Sequence, residues 1–120
     1  PRWDEQVFDD AEGAKLVRVS SAKVFEGGIT GTSEVQILQA FAQQGSAAYV
    51  AIERVVAEVD GRKGTFVLQH AAAGSASGGF MNVTVVPDSG TGDLASLRGS
   101  LTIAKSDTGE HTYAFDYELD

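Results

Sequence analysis

With 120 residues and no cysteine, the chain is long enough for one domain with a sizeable core, and it excludes disulfides, thiolate metal sites and a thiol nucleophile. A formal charge of −8, from 17 acidic and nine basic residues, argues against nucleic acid as a partner, because phosphate binding relies on clustered Lys and Arg. No apolar run reaches the roughly 20 residues of a membrane span, and no basic and apolar leader opens the chain at Pro1, so a cytoplasmic protein with no membrane partner is expected.

The 14 glycines fall mainly between runs rich in Val, Ile, Thr, Phe and Tyr, and proline stands only at positions 1 and 87. This is turn punctuation between strands. The runs predict seven strands, at 14–25, 28–42, 46–60, 62–73, 77–87, 98–106 and 110–119. Gly27-Gly28, Gln44-Gly45, Asp60-Gly61 and Asp107-Thr108-Gly109 accept the positive φ of tight hairpins, so consecutive strands are predicted to be antiparallel neighbours. Val35 to Gln43 also contains good helix formers, but its neighbours favour strand. The connection from Pro87 to about Leu97 has room for one turn of helix after Asp93 and none for a helical layer. The predicted fold class is therefore all-β, a single antiparallel barrel over residues 1–120, since closure removes the open edges of such a sheet.

Strand alternation assigns the faces. In the last strand Tyr113, Phe115, Tyr117 and Leu119 share one side, predicted to point inward, while Thr112, Ala114, Asp116 and Glu118 share the other. In the third, Tyr49, Ala51, Glu53, Val55 and Ala57 alternate with Val50, Ile52, Arg54, Val56 and Glu58. Both of those sides are largely apolar, which calls for cover on the outer wall as well, either by a chain segment or by another subunit; a homo-oligomer is the expectation.

Gly61-Arg62-Lys63-Gly64-Thr65-Phe66-Val67-Leu68-Gln69-His70 and Val85-Val86-Pro87-Asp88-Ser89-Gly90-Thr91-Gly92-Asp93-Leu94 carry a resemblance that continues in Trp3-Asp4-Glu5, Leu97-Arg98-Gly99 and Tyr113 to Leu119. Over nearly its whole length the chain resembles a bacterial uncharacterised family with an allene-oxide-cyclase-like barrel. The resemblance implies eight antiparallel strands in a small stand-alone protein, and it places the strand that the reading above lacks upstream of Trp3. It implies no catalytic residues. Related barrels include cyclases that fold or isomerise a reactive apolar substrate, which is an analogy of fold.

A barrel of this size either fills its interior with side chains or keeps a cavity for one small ligand. Glu34, Glu53, His70 and Tyr113 are the candidate catalytic groups; Gln36, Tyr49, Gln69, Phe80, Phe115 and Tyr117 are candidate substrate contacts. Glu34 and Gln36 lie two apart on one face, about 7 Å from each other, as Tyr49 and Glu53 share a face on the next strand. A carboxylate inside an apolar barrel would accept or donate a proton, whereas on the wet side it would pair with Arg54 or Lys63. Of Gln69 and His70 one faces in: an inward His70 is a general base or a hydrogen-bonded wall residue. Tyr113 and Tyr117 offer hydroxyls, with Phe80, Phe115 and Trp3 as lining or plain core. His70 and His111 lie on different strands without metal-ligand spacing, so no metal and no cofactor is expected. Ser89-Gly90-Thr91-Gly92 fits no phosphate-binding pattern and reads as a structural corner. The function these residues suggest is a small-molecule barrel for a hydrophobic metabolite, acting as a cofactor-free isomerase or cyclase. A lipocalin-like carrier, or a filled barrel acting through protein contacts, is the alternative.

Overall fold

The computed structural model describes residues 2–105 and 111–119, with the side chains of 103–105 and 111–113 outside the described set. Eight strands follow one another: β1 (Arg2–Ala11), β2 (Ala14–Phe25), β3 (Ile29–Ala42), β4 (Ala47–Val59), β5 (Arg62–Ser75), β6 (Gly78–Val85), β7 (Arg98–Lys105) and β8 (His111–Glu118). They form one sheet in chain order, each strand antiparallel to the next. Among the described residues no helix is long and apolar enough to cross a membrane.

The seven expected strands stand where alternation and turn residues place them. At Asp60 (φ 51°) and Gly61 (φ 81°) both central residues of the β4–β5 hairpin take positive φ, the backbone twist that a two-residue connection requires. Gln44 (φ 60°) makes the corresponding turn before β4. The expected turn at Asp107-Thr108-Gly109 lies outside the described residues.

The eighth strand corrects the sequence reading: it is β1, within the chain, not upstream of Trp3. Arg2, Asp4, Glu5, Asp9 and Asp10 lower its intrinsic strand preference, and every position is exposed, so neither face shows a buried pattern. What makes it a strand is its ladder with β2, from Arg2 opposite Ala22 to Ala11 opposite Ala14, with one irregularity between Val7 and Asp9.

The sheet curls about two apolar clusters on its inner face. The larger joins Phe25, Ile29, Val55, Val59, Phe66, Leu68, Val83, Val85 and Leu101, with Phe115 and Tyr117 of the last strand, and Leu119 just after it, packed on it as expected. Phe66 and Phe115 stack with ring centres 6.1 Å apart. The smaller holds Val17, Val19, Val35, Ile37 and Ala51, with Tyr49 beside it. The curl stops short of a hydrogen-bonded barrel: β6 and β7 share the single pair Thr84–Ser100, and among the described residues no ladder joins β1 to β8.

The long connection explains the thin β6–β7 seam. After Val85 the chain leaves β6 and docks on β5: Thr65 N–H donates to Thr91 Oγ1 (3.1 Å), Val67 N–H to Ser89 Oγ (3.0 Å), and Thr91 N–H returns a bond to the Thr65 carbonyl (2.8 Å). The 3₁₀ turn Gly92–Leu94 follows, and both Leu94 and Leu97 enter the larger cluster. Ser89-Gly90-Thr91-Gly92 is thus the structural corner anticipated, and Gly64 lacks a Cβ where one would collide with the Thr91 carbonyl.

Candidate functional site

Between the two clusters a line of polar side chains crosses the inner face diagonally. The register sets it: Ala51 is opposite His70, Val35 opposite Glu53, and Ser33 opposite both Lys23 and Val55, so His70, Glu53 and Ser33 sit on successive strands one row further along each time. Glu53 (1 % exposed) and His70 (5 %) are as buried as the apolar core around them. One Glu53 oxygen takes a 2.7 Å hydrogen bond from His70 Nε2, and the other takes 2.5 Å from the Ser33 hydroxyl, with the partly exposed Lys23 ammonium 3.6 Å away. Both carboxylate oxygens are therefore used. Among the described residues no group bonds His70 Nδ1.

Burial alone would raise the Glu53 pKa. The hydrogen bonds from His70 and Ser33, with the charges of Lys23 and His70, outweigh it and hold the carboxyl below its ordinary range. Tyr49 lies on the same inner parity two rows beyond, and its pKa is raised, first by burial and then by the Glu53 charge, so its hydroxyl keeps its proton. The row next to His70 contains Gln39, Tyr49, Ala72 and Met81, which line a cleft of about 470 Å³ together with Phe41 and Phe80. A second opening of about 430 Å³, between Trp3, Ser21, Lys23 and Phe25, leads to the Lys23 end of the diagonal.

The structure brings together Glu53, His70 and Tyr49 from the sequence candidates, with His70 inward and Gln69 outward. It separates the rest. Glu34 and Gln36 are exposed on the outer face, contrary to an interior role, because the parity that buries Val35 and Ile37 turns their neighbours outward; Gln36 Nε2 donates to Ser20 Oγ there (3.0 Å). Gln69 is exposed opposite Ile52, and Phe80 is more than half exposed at the rim of the 470 Å³ cleft, so neither is an interior contact. Phe115 and Tyr117 line a different opening of about 440 Å³ with Phe25, Ile29, Glu26 and Asp60, at the far side of the larger cluster. Trp3 is 54 % exposed, with its indole N–H on Glu5 Oε1 (2.6 Å). The Tyr113 side chain lies outside the described residues. Sequence reasoning missed Ser33 and Lys23, although both interrupt inward apolar positions, Ser33 between Ile29 and Val35 and Lys23, together with Ser21, between Val19 and Phe25. Groups of three or more His, Cys, Asp or Glu side chains able to hold a metal ion are absent among the described residues.

A curled, eight-stranded antiparallel meander with a carboxylate and an imidazole sealed into its inner face defines the class of this molecule. Residues 1–117 match the family described as protein of unknown function (DUF3224), and the chain belongs to that family. It is also similar to a protein of unknown function of the DUF3224 family from Shewanella oneidensis MR-1, known as a crystal structure: 34 % identity, TM-score 0.84, covering 98 % of this chain and 92 % of the other. The uncharacterised bacterial family inferred from the sequence motifs is thereby established. No curated protein matches.

Proposed function

We propose that the protein binds a hydrophobic metabolite and moves a proton within it, as a cofactor-free isomerase or cyclase of the kind found among allene-oxide-cyclase-like barrels would. The carrying observation is the 2.7 Å Glu53–His70 contact sealed between apolar clusters. A buried carboxylate–imidazole contact adds little stability over apolar residues of the same volume, and buried ionisable groups held by specific partners concentrate where chemistry is done.

With Nε2–H donated to Glu53, the lone pair of His70 resides on Nδ1. A C–H beside a substrate carbonyl gives its proton to Nδ1 and its electron pair moves towards the carbonyl oxygen. The carboxylate of Glu53 balances the imidazolium so formed. The proton then returns to a different carbon as the enolate collapses, so an isomer leaves with no atom gained or lost and no oxidant needed. The protonated Tyr49 hydroxyl, on the row beyond His70, supplies a donor for the transient oxyanion. A cleft of about 470 Å³ is within the span of small-molecule sites and gives the substrate a place beside that row.

The test is native mass spectrometry of protein purified from its own producing cells, followed by incubation of the extracted molecule in D₂O. An apolar metabolite at one per chain that gains deuterium with the wild type and not with His70→Gln supports the proposal. Binding without exchange makes the protein a carrier, and a chain that never retains a small molecule sinks both readings.

A further inference from the structure

The outer face of β2 to β5 is largely apolar and carries few charges. Reading the register across those four strands, its rows run Val24–Thr32–Val56–Thr65, Ala22–Glu34–Arg54–Val67, Ser20–Gln36–Ile52–Gln69, Arg18–Leu38–Val50–Ala71 and Leu16–Ala40–Ala48–Ala73. Val24, Leu38, Val50, Ile52 and Val56 are each about half exposed, and Leu38, Val50 and Ile52 line a shallow groove with Arg18, Gln36 and Gln69. In a chain of net charge −8, these five rows carry Arg18 and Arg54 against the lone carboxylate Glu34.

We propose that this face binds a second copy of the chain, sheet against sheet, about a two-fold axis running parallel to the strands between β3 and β4. Such an axis keeps each row in place and lays β3 over the partner's β4. Leu38 then covers the position of Val50 in the second copy, Gln36 covers that of Ile52, and Glu34 meets that of Arg54, twice over by symmetry. The face is thus complementary to itself in charge. Its size suits the role: four strands about 4.8 Å apart by five rows about 6.8 Å apart project to roughly 650 Å² per chain, so a pair removes about 1,300 Å² from water, which is what a specific interface needs. Aligned packing of two twisted sheets is an ordinary solution for a sheet that is apolar on both sides. Two strongly acidic molecules meet, on this arrangement, through a face that is not acidic.

Analytical ultracentrifugation of the full chain from about 1 to 100 μM tests this. The wild type is expected to sediment as a dimer at the upper end. Ile52→Glu, at an exposed position and checked for native circular dichroism, should weaken association by about a hundredfold or more, because it sets an unpaired charge in the interface. Glu34→Arg should weaken it as well by facing two arginines, and combining Glu34→Arg with Arg54→Glu should restore it. A monomer throughout the range overturns the proposal and leaves the face to a different protein, while a dimer indifferent to all three variants overturns it in favour of another surface.

Discussion

The larger apolar cluster around Phe66 and the polar diagonal through Glu53 lie on the same strands, at the same parity, a few residues apart, yet they obey opposite economies. In the first, each side chain is interchangeable with anything apolar of its volume, and removal leaves a void. In the second, each group is held by its partners, so the worth of one depends on the presence of the others. The lesson is that depth of burial does not tell stability from function; the pattern of coupling does.

The sharpest test of that contrast is Phe66→Ala, which should cost about 3–5 kcal/mol in urea unfolding, since Phe66 is fully buried and stacked on Phe115. A loss under about 1 kcal/mol would mean that this half of the interior is loosely packed and the contrast is wrong. His70→Leu should cost less, about 1–3 kcal/mol, because Glu53 keeps Ser33 and Lys23 while losing one buried hydrogen bond. Replacing the three together, with Ser33→Ala, Glu53→Leu and His70→Leu, should restore most of that stability and none of the proposed proton transfer. If the triple variant is instead the least stable, the diagonal is structural.

Acid separates the two regions again. The Glu53 carboxyl is held low in the folded chain, so the stability it contributes is complete above the ordinary carboxylate range and is lost as pH falls through its depressed value. Denaturation midpoints followed from neutral pH into that acidic range should therefore fall more steeply for the wild type than for Glu53→Gln. Parallel curves would show that Glu53 is not the group being titrated. The smallest effect belongs to neither region: Trp3→Ala, at a half-exposed position on β1, should change stability by no more than about 0.5 kcal/mol.

Much of the fold was legible because strands and hairpins write themselves locally, in alternation and in residues such as Asp60 and Gly61 that tolerate positive φ. β1 was not, because a strand exposed along its whole length has no burial pattern to betray it, and only its partner β2 makes it one. The site was half legible. Tyr49 and Glu53 follow from period two, whereas the side that Glu34 and Gln36 take was not legible because Leu38 and Ala40 make the outer face of β3 nearly as apolar as the inner. The diagonal itself rests on register between strands, Ser33 reaching Glu53 and Glu53 reaching His70, and no single strand records that.

The connection after Val85 also bears on how the chain avoids its own kind. Where β6 turns away from β5, Thr65 and Val67 would present bare amides and carbonyls, a template on which a strand from another molecule could grow. The Ser89 and Thr91 hydroxyls take the two amides first, and the backbone N–H groups of Val86 and Thr91 take the two carbonyls. Selection on these two hydroxyls would then act through solubility, and variants that lose them should appear as material that slowly gels or forms fibrils on standing while its freshly purified fraction behaves normally.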